Sequence, residues 1–190
     1  MRKVRTMNLL LAATALSVVG IGAPIAGAAT HTHAVAAHAK TKKLVFTASY
    51  KGNVKMLFGA SSVTGSMLGA GKGTTLGQGT ISATGATVTF STSTQSDPVS
   101  GKAVLTGPGG SITLVSTSAL ASTTVSSAPT NAAPAPVTIF GHVKVTKGTG
   151  KFAGATGTLT ISASFKVSST TGSETQKFSA TLNGTLTVKA

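Results

Sequence analysis

From Lys43 onward the chain alternates apolar and polar residues with a period of two. Leu44, Phe46, Ala48 and Tyr50 share one phase against Val45, Thr47 and Ser49, which predicts a strand with one buried face. Lys51-Gly52-Asn53 then reads as a turn, and Val54, Met56 and Phe58 resume the alternation beyond it. From Gly59 to Gly73 the chain is rich in Gly and Ser, with too little periodicity to assign an element. Thr74 to Ser82 leads into Gly85, after which Ala86, Val88 and Phe90 alternate again, a hairpin candidate. Lys102–Leu105 and Ser111–Ser116 flank Gly107-Pro108-Gly109-Gly110, a strong turn signal. Residues 117–136 are rich in Ser, Thr, Ala and Pro and read as a long surface loop, with O-glycosylation as an alternative use of the same composition.

The C-terminal third carries the clearest pattern. Val137, Ile139, Val143 and Val145 share a face, with Gly141 in register between them. Leu159, Ile161, Ala163, Phe165 and Val167 repeat it, and Phe178, Ala180, Leu182, Leu186 and Val188 repeat it once more. Asn183-Gly184 has the composition of a two-residue hairpin turn. The apolar phase nevertheless passes through it unbroken, which favours one long strand with a glycine kink of the kind a closing barrel uses. Some eight alternating strands joined by turns predict an all-β domain over 43–190. A single antiparallel up-and-down barrel fits best, with a sandwich as the alternative.

Before Lys43 the pattern differs. Arg2, Lys3 and Arg5 precede an apolar run from Leu9 to Ile21, and Ala26-Gly27-Ala28 offers a small-x-small cleavage site. Residues 1–28 therefore read as a secretory signal peptide, and 29–42 as a flexible leader. The apolar run is short for a membrane span, so no transmembrane anchor is expected after cleavage, and the expected location is extracellular.

Composition supports this reading. Aromatic residues are 4% and charged residues 9% of the 190 residues, too apolar a mixture for a disordered chain and too poor in helix formers for a helical one. The absence of cysteine excludes disulfides, thiolate metal sites and cysteine nucleophiles. Basic residues number 16 against two acids, Asp97 and Glu174, and every basic residue beyond the signal is a lysine. Without arginine and with few aromatics, nucleic-acid binding is not expected. The domain lysines, from Lys51 to Lys189, are scattered along the sequence as on a solvated surface; docking on an anionic cell-wall polymer or on lipid headgroups is the alternative. With so few carboxylates, stability should depend weakly on pH between about 3 and 6.

Lys147-Gly148-Thr149-Gly150-Lys151-Phe152-Ala153-Gly154-Ala155-Thr156-Gly157 resembles the Gly-rich turn of dirigent proteins and allene oxide cyclase-like barrels, a stretch also met in small secreted bacterial β proteins. The resemblance in pattern extends over residues 136–190 and implies a β-barrel in which glycines permit tight backbone approach and Phe152 plugs the mouth. It also implies a cavity. Dirigent chemistry uses acidic, arginine and tyrosine residues there, whereas this domain has no arginine and one tyrosine, so no catalytic role is carried over.

Other chemistry is thin. Gly148-x-Gly150-x-x-Ala153 matches a dinucleotide fingerprint in spacing alone, because a strand follows it where a helix N-terminus must hold the pyrophosphate. Gly69-Ala70-Gly71-Lys72-Gly73 lacks the Ser or Thr of a phosphate loop. After cleavage at Ala28, Ala29-Thr30-His31 could hold Cu(II) in a square plane, with His33 and His38 nearby; a plain polar leader explains the same residues. His142 shares its face with Phe140 and Lys144, which points to a surface or packing role. Asp97 precedes Pro98 and Glu174 follows Thr171-Gly172-Ser173, so both acids look turn-borne, and no catalytic, cofactor or metal residue is assigned. The expected function is a secreted, non-enzymatic barrel that binds a small apolar ligand, lined by Phe46, Tyr50, Phe90, Phe165 and Phe178, or that serves a structural role in the envelope. A dirigent- or cyclase-like catalyst acting through cavity shape, and lysine-mediated adhesion to anionic wall polymer, are the alternatives.

Overall fold

The computed structural model describes residues 40–88, 97–125, 130 and 132–190. The signal and almost all of the leader, Phe90 and the centre of the Pro-rich loop lie outside them. Eight antiparallel strands close into one barrel in sequence order: β1 (Thr41–Phe58), β2 (Ser62–Gly73), β3 (Gly77–Val88), β4 (Asp97–Gly107), β5 (Gly110–Val125), β6 (Ala135–Gly148), β7 (Thr156–Val167) and β8 (Gly172–Lys189). Closure is made by β8 on β1, a ladder running from Thr41↔Lys189 to Phe58↔Gly172. Closing the sheet leaves no unpaired edge for another chain to extend.

The alternation read from sequence becomes inside and outside. Phe46, Ala48, Tyr50, Val54, Met56 and Phe58 of β1 all bury, as do Leu159, Ala163, Phe165 and Val167 of β7. β8 is one continuous strand through Asn183-Gly184, with Phe178, Ala180, Leu182, Leu186 and Val188 inside. Each fully enclosed large apolar side chain contributes about 1.5–3 kcal/mol by leaving water. Outward positions carry Thr, Ser and Lys, as in the register pairs Thr158↔Thr185, Ser162↔Thr181 and Ser164↔Ser179. This polarity is the reverse of a lipid-spanning barrel, whose outer band is apolar.

Four expectations are corrected. Lys51-Gly52-Asn53 is no turn: β1 runs through it, because Gly52 keeps the inward phase and lets β2 approach so closely that a Cβ would lie 2.1 Å from the Leu68 carbonyl oxygen. Gly85 lies inside β3 rather than in a hairpin, paired with Gly65 and with Gly101. The unassigned 59–73 stretch holds β2. The loop is shorter than 117–136, since β5 runs to Val125 and β6 begins at Ala135. At each place small-residue composition was read as a turn or loop, or left the stretch unassigned, where the ladder supplied the order.

The two ends differ. The lower end gathers the start of β1, the end of β8 and the β2–β3, β4–β5 and β6–β7 connections, and these are knitted together. Thr47 N–H donates to Thr74 Oγ1, Gly109 N–H to the Leu76 carbonyl, Lys151 N–H to the Gly109 carbonyl and Thr149 N–H to the Ser111 carbonyl. The Gly-rich connection forms a 3-10 turn, Gly150–Phe152, with Gly150 and Gly154 at positive φ of 59° and 68°. That turn drives Phe152, fully buried, edge-on against Phe46 with ring centroids 5.9 Å apart, so the lower end is plugged.

Candidate functional site

The inward residues divide the barrel into two walls. β1 and β6–β8 present large side chains, with Phe46, Tyr50, Met56, Leu159, Phe165 and Phe178 prominent. β2–β4 present mainly glycine and alanine at the same phase: Gly65, Gly69, Gly71 and Gly73 on β2, Gly79, Ala83 and Gly85 on β3, Gly101 and Ala103 on β4.

Over the lower glycines of β2, aromatic rings from the full wall cross over the missing side chains. Phe178 Cζ lies 2.8 Å from where a Gly69 Cβ would stand, Tyr50 Cδ1 2.6 Å from that of Gly71, and Phe46 Cζ 3.5 Å from that of Gly73. Such rings shield glycine backbone and fill the space. Over Gly65, Gly85 and Gly101 no ring does this. Gly65, Gly85 and Gly101 stand side by side in register, and beside them is a cavity of about 120 Å³. Met56 and Met67, Ile81 and Leu114, Ile161 and Phe165 bound it, and its surface is almost wholly apolar. Where the glycines stand, the wall is backbone, so the lining reaches Thr84, Ser100 and Lys102, whose side chains alternate outward. Ser116 also lines it, at the start of the stretch between Val115 and Ala121 where the β5–β6 register shifts.

Of the four expected lining residues that are described, Phe165 faces this cavity. Phe46, Tyr50 and Phe178 are buried but pack against the glycines of β2, and Phe90 lies outside the described residues. The lining that sequence reading missed, Val54, Met56, Met67, Ala83 and Leu114, could have been found by asking which inward phase alternates large residues with glycine, as Val63-x-Gly65-x-Met67 does.

The polar groups are placed elsewhere. Tyr50 is 2% exposed, its hydroxyl has no hydrogen-bond partner, and burial pushes its phenol above the usual value. Glu174 is half-buried beside the β7–β8 turn and accepts hydrogen bonds from Ser168 N–H at 2.9 and 3.1 Å, from Ser169 N–H at 3.2 Å and from Gln176 Nε2. Burial alone would raise its carboxyl, but the bonds from Gln176, Ser168 and Ser169 together hold it below the ordinary value. Its carboxylate is a clamp on that turn. Asp97 is buried as the first residue of β4 rather than carried on a turn. Neither acid nor Tyr50 lines the cavity. His142 is exposed on the outer face of β6, as expected, and no cluster of potential metal ligands occurs among the described residues.

Comparison with family models, with curated proteins and with solved structures returns no match for this chain. The functional reading therefore rests on the cavity and on the surface.

Proposed function

We propose that the protein is a secreted, non-enzymatic barrel that holds a small apolar molecule in the upper half of its lumen. The cavity beside the Gly65–Gly85–Gly101 row carries this reading. An enclosed apolar cavity of roughly 150 Å³ takes up benzene or xenon, and this one, partly open through the thin wall, is of similar size. It suits a compact hydrocarbon or the end of a longer apolar chain. Met56 and Met67 suit a site of this kind, because unbranched thioethers adjust to the shape of what they touch. The tripartite N-terminus supports secretion. The shape-driven catalyst implied by the resemblance is disfavoured by a lining that holds neither Tyr50, Asp97 nor Glu174.

The test is titration with benzene and with xenon, followed through the methyl resonances of Met56 and Met67. Saturable shifts are expected in the wild type and not in Ala83→Leu, which fills the cavity, with Gly65→Val as a second filling variant. Absence of shifts in the folded wild type, or equal shifts in the folded variants, would overturn the reading.

A further inference from the structure

The lysines that look scattered in sequence converge in space. Lys40, Lys42 and Lys43 lie at the start of β1, Lys189 at the end of β8, and Lys147 and Lys151 at the β6–β7 connection, all exposed. Register and hydrogen bonds hold these segments against one another. Thr41 pairs with Lys189 and Lys43 with Thr187, Thr187 pairs with Thr156, and Ala190 N–H donates to the Lys40 carbonyl. The aliphatic stem of Lys189 lies across Gly154, its Cε 3.0 Å from where a Cβ would stand, which carries the β8 ammonium over the Gly-rich turn. Six lysines thus gather at the plugged lower end, on the side formed by β1, β8 and the β6–β7 connection.

Both acids of the chain are at the opposite end, Asp97 opening β4 and Glu174 beside the β7–β8 turn, with Lys55, Lys166 and Lys177 placed towards that end of their strands. No carboxylate side chain offsets the lower cluster. Like charges gathered on one face raise each other's potential and attract a multivalent anion far more than the same charges dispersed. We infer that the plugged lower end is a docking face for a linear phosphate-bearing polyanion.

Chemistry favours a polymer over a bilayer. Binding at a bilayer surface gains from apolar side chains buried at the acyl boundary. The exposed large apolar residues Leu57, Leu68 and Phe140 all stand away from this end, which offers only Val45. Lysines on flexible stems are point charges without arginine's rigid fork, suited to successive phosphates of variable spacing rather than to one fixed group. None of these lysines lines the cavity, so docking would leave the cavity free. This inference is independent of what the cavity binds.

The experiment uses the full chain and two variants of equal net charge. One carries Lys42→Gln, Lys43→Gln, Lys147→Gln and Lys151→Gln; the other carries Lys55→Gln, Lys102→Gln, Lys166→Gln and Lys177→Gln. Lys55 and Lys102 border a shallow groove outside the thin wall, so the second variant also tests the rival cationic surface. Binding to long-chain inorganic polyphosphate is measured by fluorescence anisotropy from about 0.05 to about 0.5 M salt, with circular dichroism to verify folding. Expected are steep weakening with salt, roughly tenfold weaker binding in the lower-end variant and little change in the other. Equal losses in both variants, no binding by the wild type, or tighter binding to phosphatidylglycerol vesicles than to polyphosphate would each overturn the proposal.

Discussion

The two walls of this barrel solve one packing problem in opposite ways. On β1 and β6–β8 the inward phase is held mainly by large side chains, interrupted by Gly52, Gly141 and Gly184, and β6–β8 could be read from their own residues. On β2–β4 the inward phase is held largely by glycine and alanine. Over Gly69, Gly71 and Gly73 the rings of Phe178, Tyr50 and Phe46 reach across from the full wall to occupy that space, and over Gly65, Gly85 and Gly101 nothing does. One lumen is therefore filled against one set of glycines and hollow against the other. The thin wall makes room for the cavity, and the full wall holds the barrel closed around it.

Removing a ring from the full wall should have the largest effect. Phe178→Ala uncovers Gly69 and leaves a void where two strands now rely on one ring. A loss of about 3–5 kcal/mol is expected in urea denaturation. A loss below about 1 kcal/mol would mean that the thin wall collapses into the gap and that the walls are not distinct.

The thin wall itself should split one substitution into two signs. At Gly101 a Cβ would stand 2.6 Å from the Thr84 carbonyl oxygen, so Gly101→Ala forces β3 and β4 apart and should cost about 1–3 kcal/mol. At Gly65 the nearest atom is 3.9 Å away, so Gly65→Ala fits. It should add about 0.4–1 kcal/mol by restricting the unfolded chain, and weaken benzene binding by narrowing the cavity. Equal destabilisation by both, read from thermal melts, would remove the distinction between required and permissive glycines.

Tyr50 tests the boundary between the filled and hollow halves. Its enclosed hydroxyl has no partner, so Tyr50→Phe should raise stability by about 1 kcal/mol at constant packing. A loss of similar size in the same denaturation series would show that the hydroxyl meets a partner in solution.

The smallest effect belongs to the rim of the full wall, at Glu174. Because its folded carboxyl ionises at lower pH than the free side chain, the ionised form favours the fold. That contribution is complete above the ordinary value of 4.5 and is lost as pH falls through the lower folded value. The stability difference between wild type and Glu174→Gln should therefore shrink as pH drops below about 4.5, against an otherwise flat profile set by so few carboxylates. A difference that grows towards acid would reverse the sign assigned here.

Much of the fold was legible because a strand's inside and outside are written in its own residues. Leu159 to Val167 and Phe178 to Val188 needed no knowledge of their partners, and the phase argument at Gly184 distinguished a kinked strand from a hairpin. The same argument applied at Gly52, where even-numbered residues stay apolar on both sides; there Lys-Gly-Asn outweighed it as a turn signal, and the strand was cut in two. Gly85 misled in the same way. Of the lining residues, Phe165 was found and Phe46, Tyr50 and Phe178 were placed in the cavity because size was taken as a guide. In a barrel the largest side chains fill space, and the cavity appears where they are absent.

An all-β chain with an apolar inner phase and a polar outer one is written in the residues themselves, since polarity and strand period are local properties. Only the closed barrel brings three glycines on different strands into one row, sets rings from β1 and β8 over the lower glycines of β2 but not over Gly65, and gathers lysines from positions 40–43, 147–151 and 189 at one plugged end. Register is the cause. What faces what across a closed barrel depends on how the strands are staggered, and an absent side chain leaves no mark until its neighbours are in place.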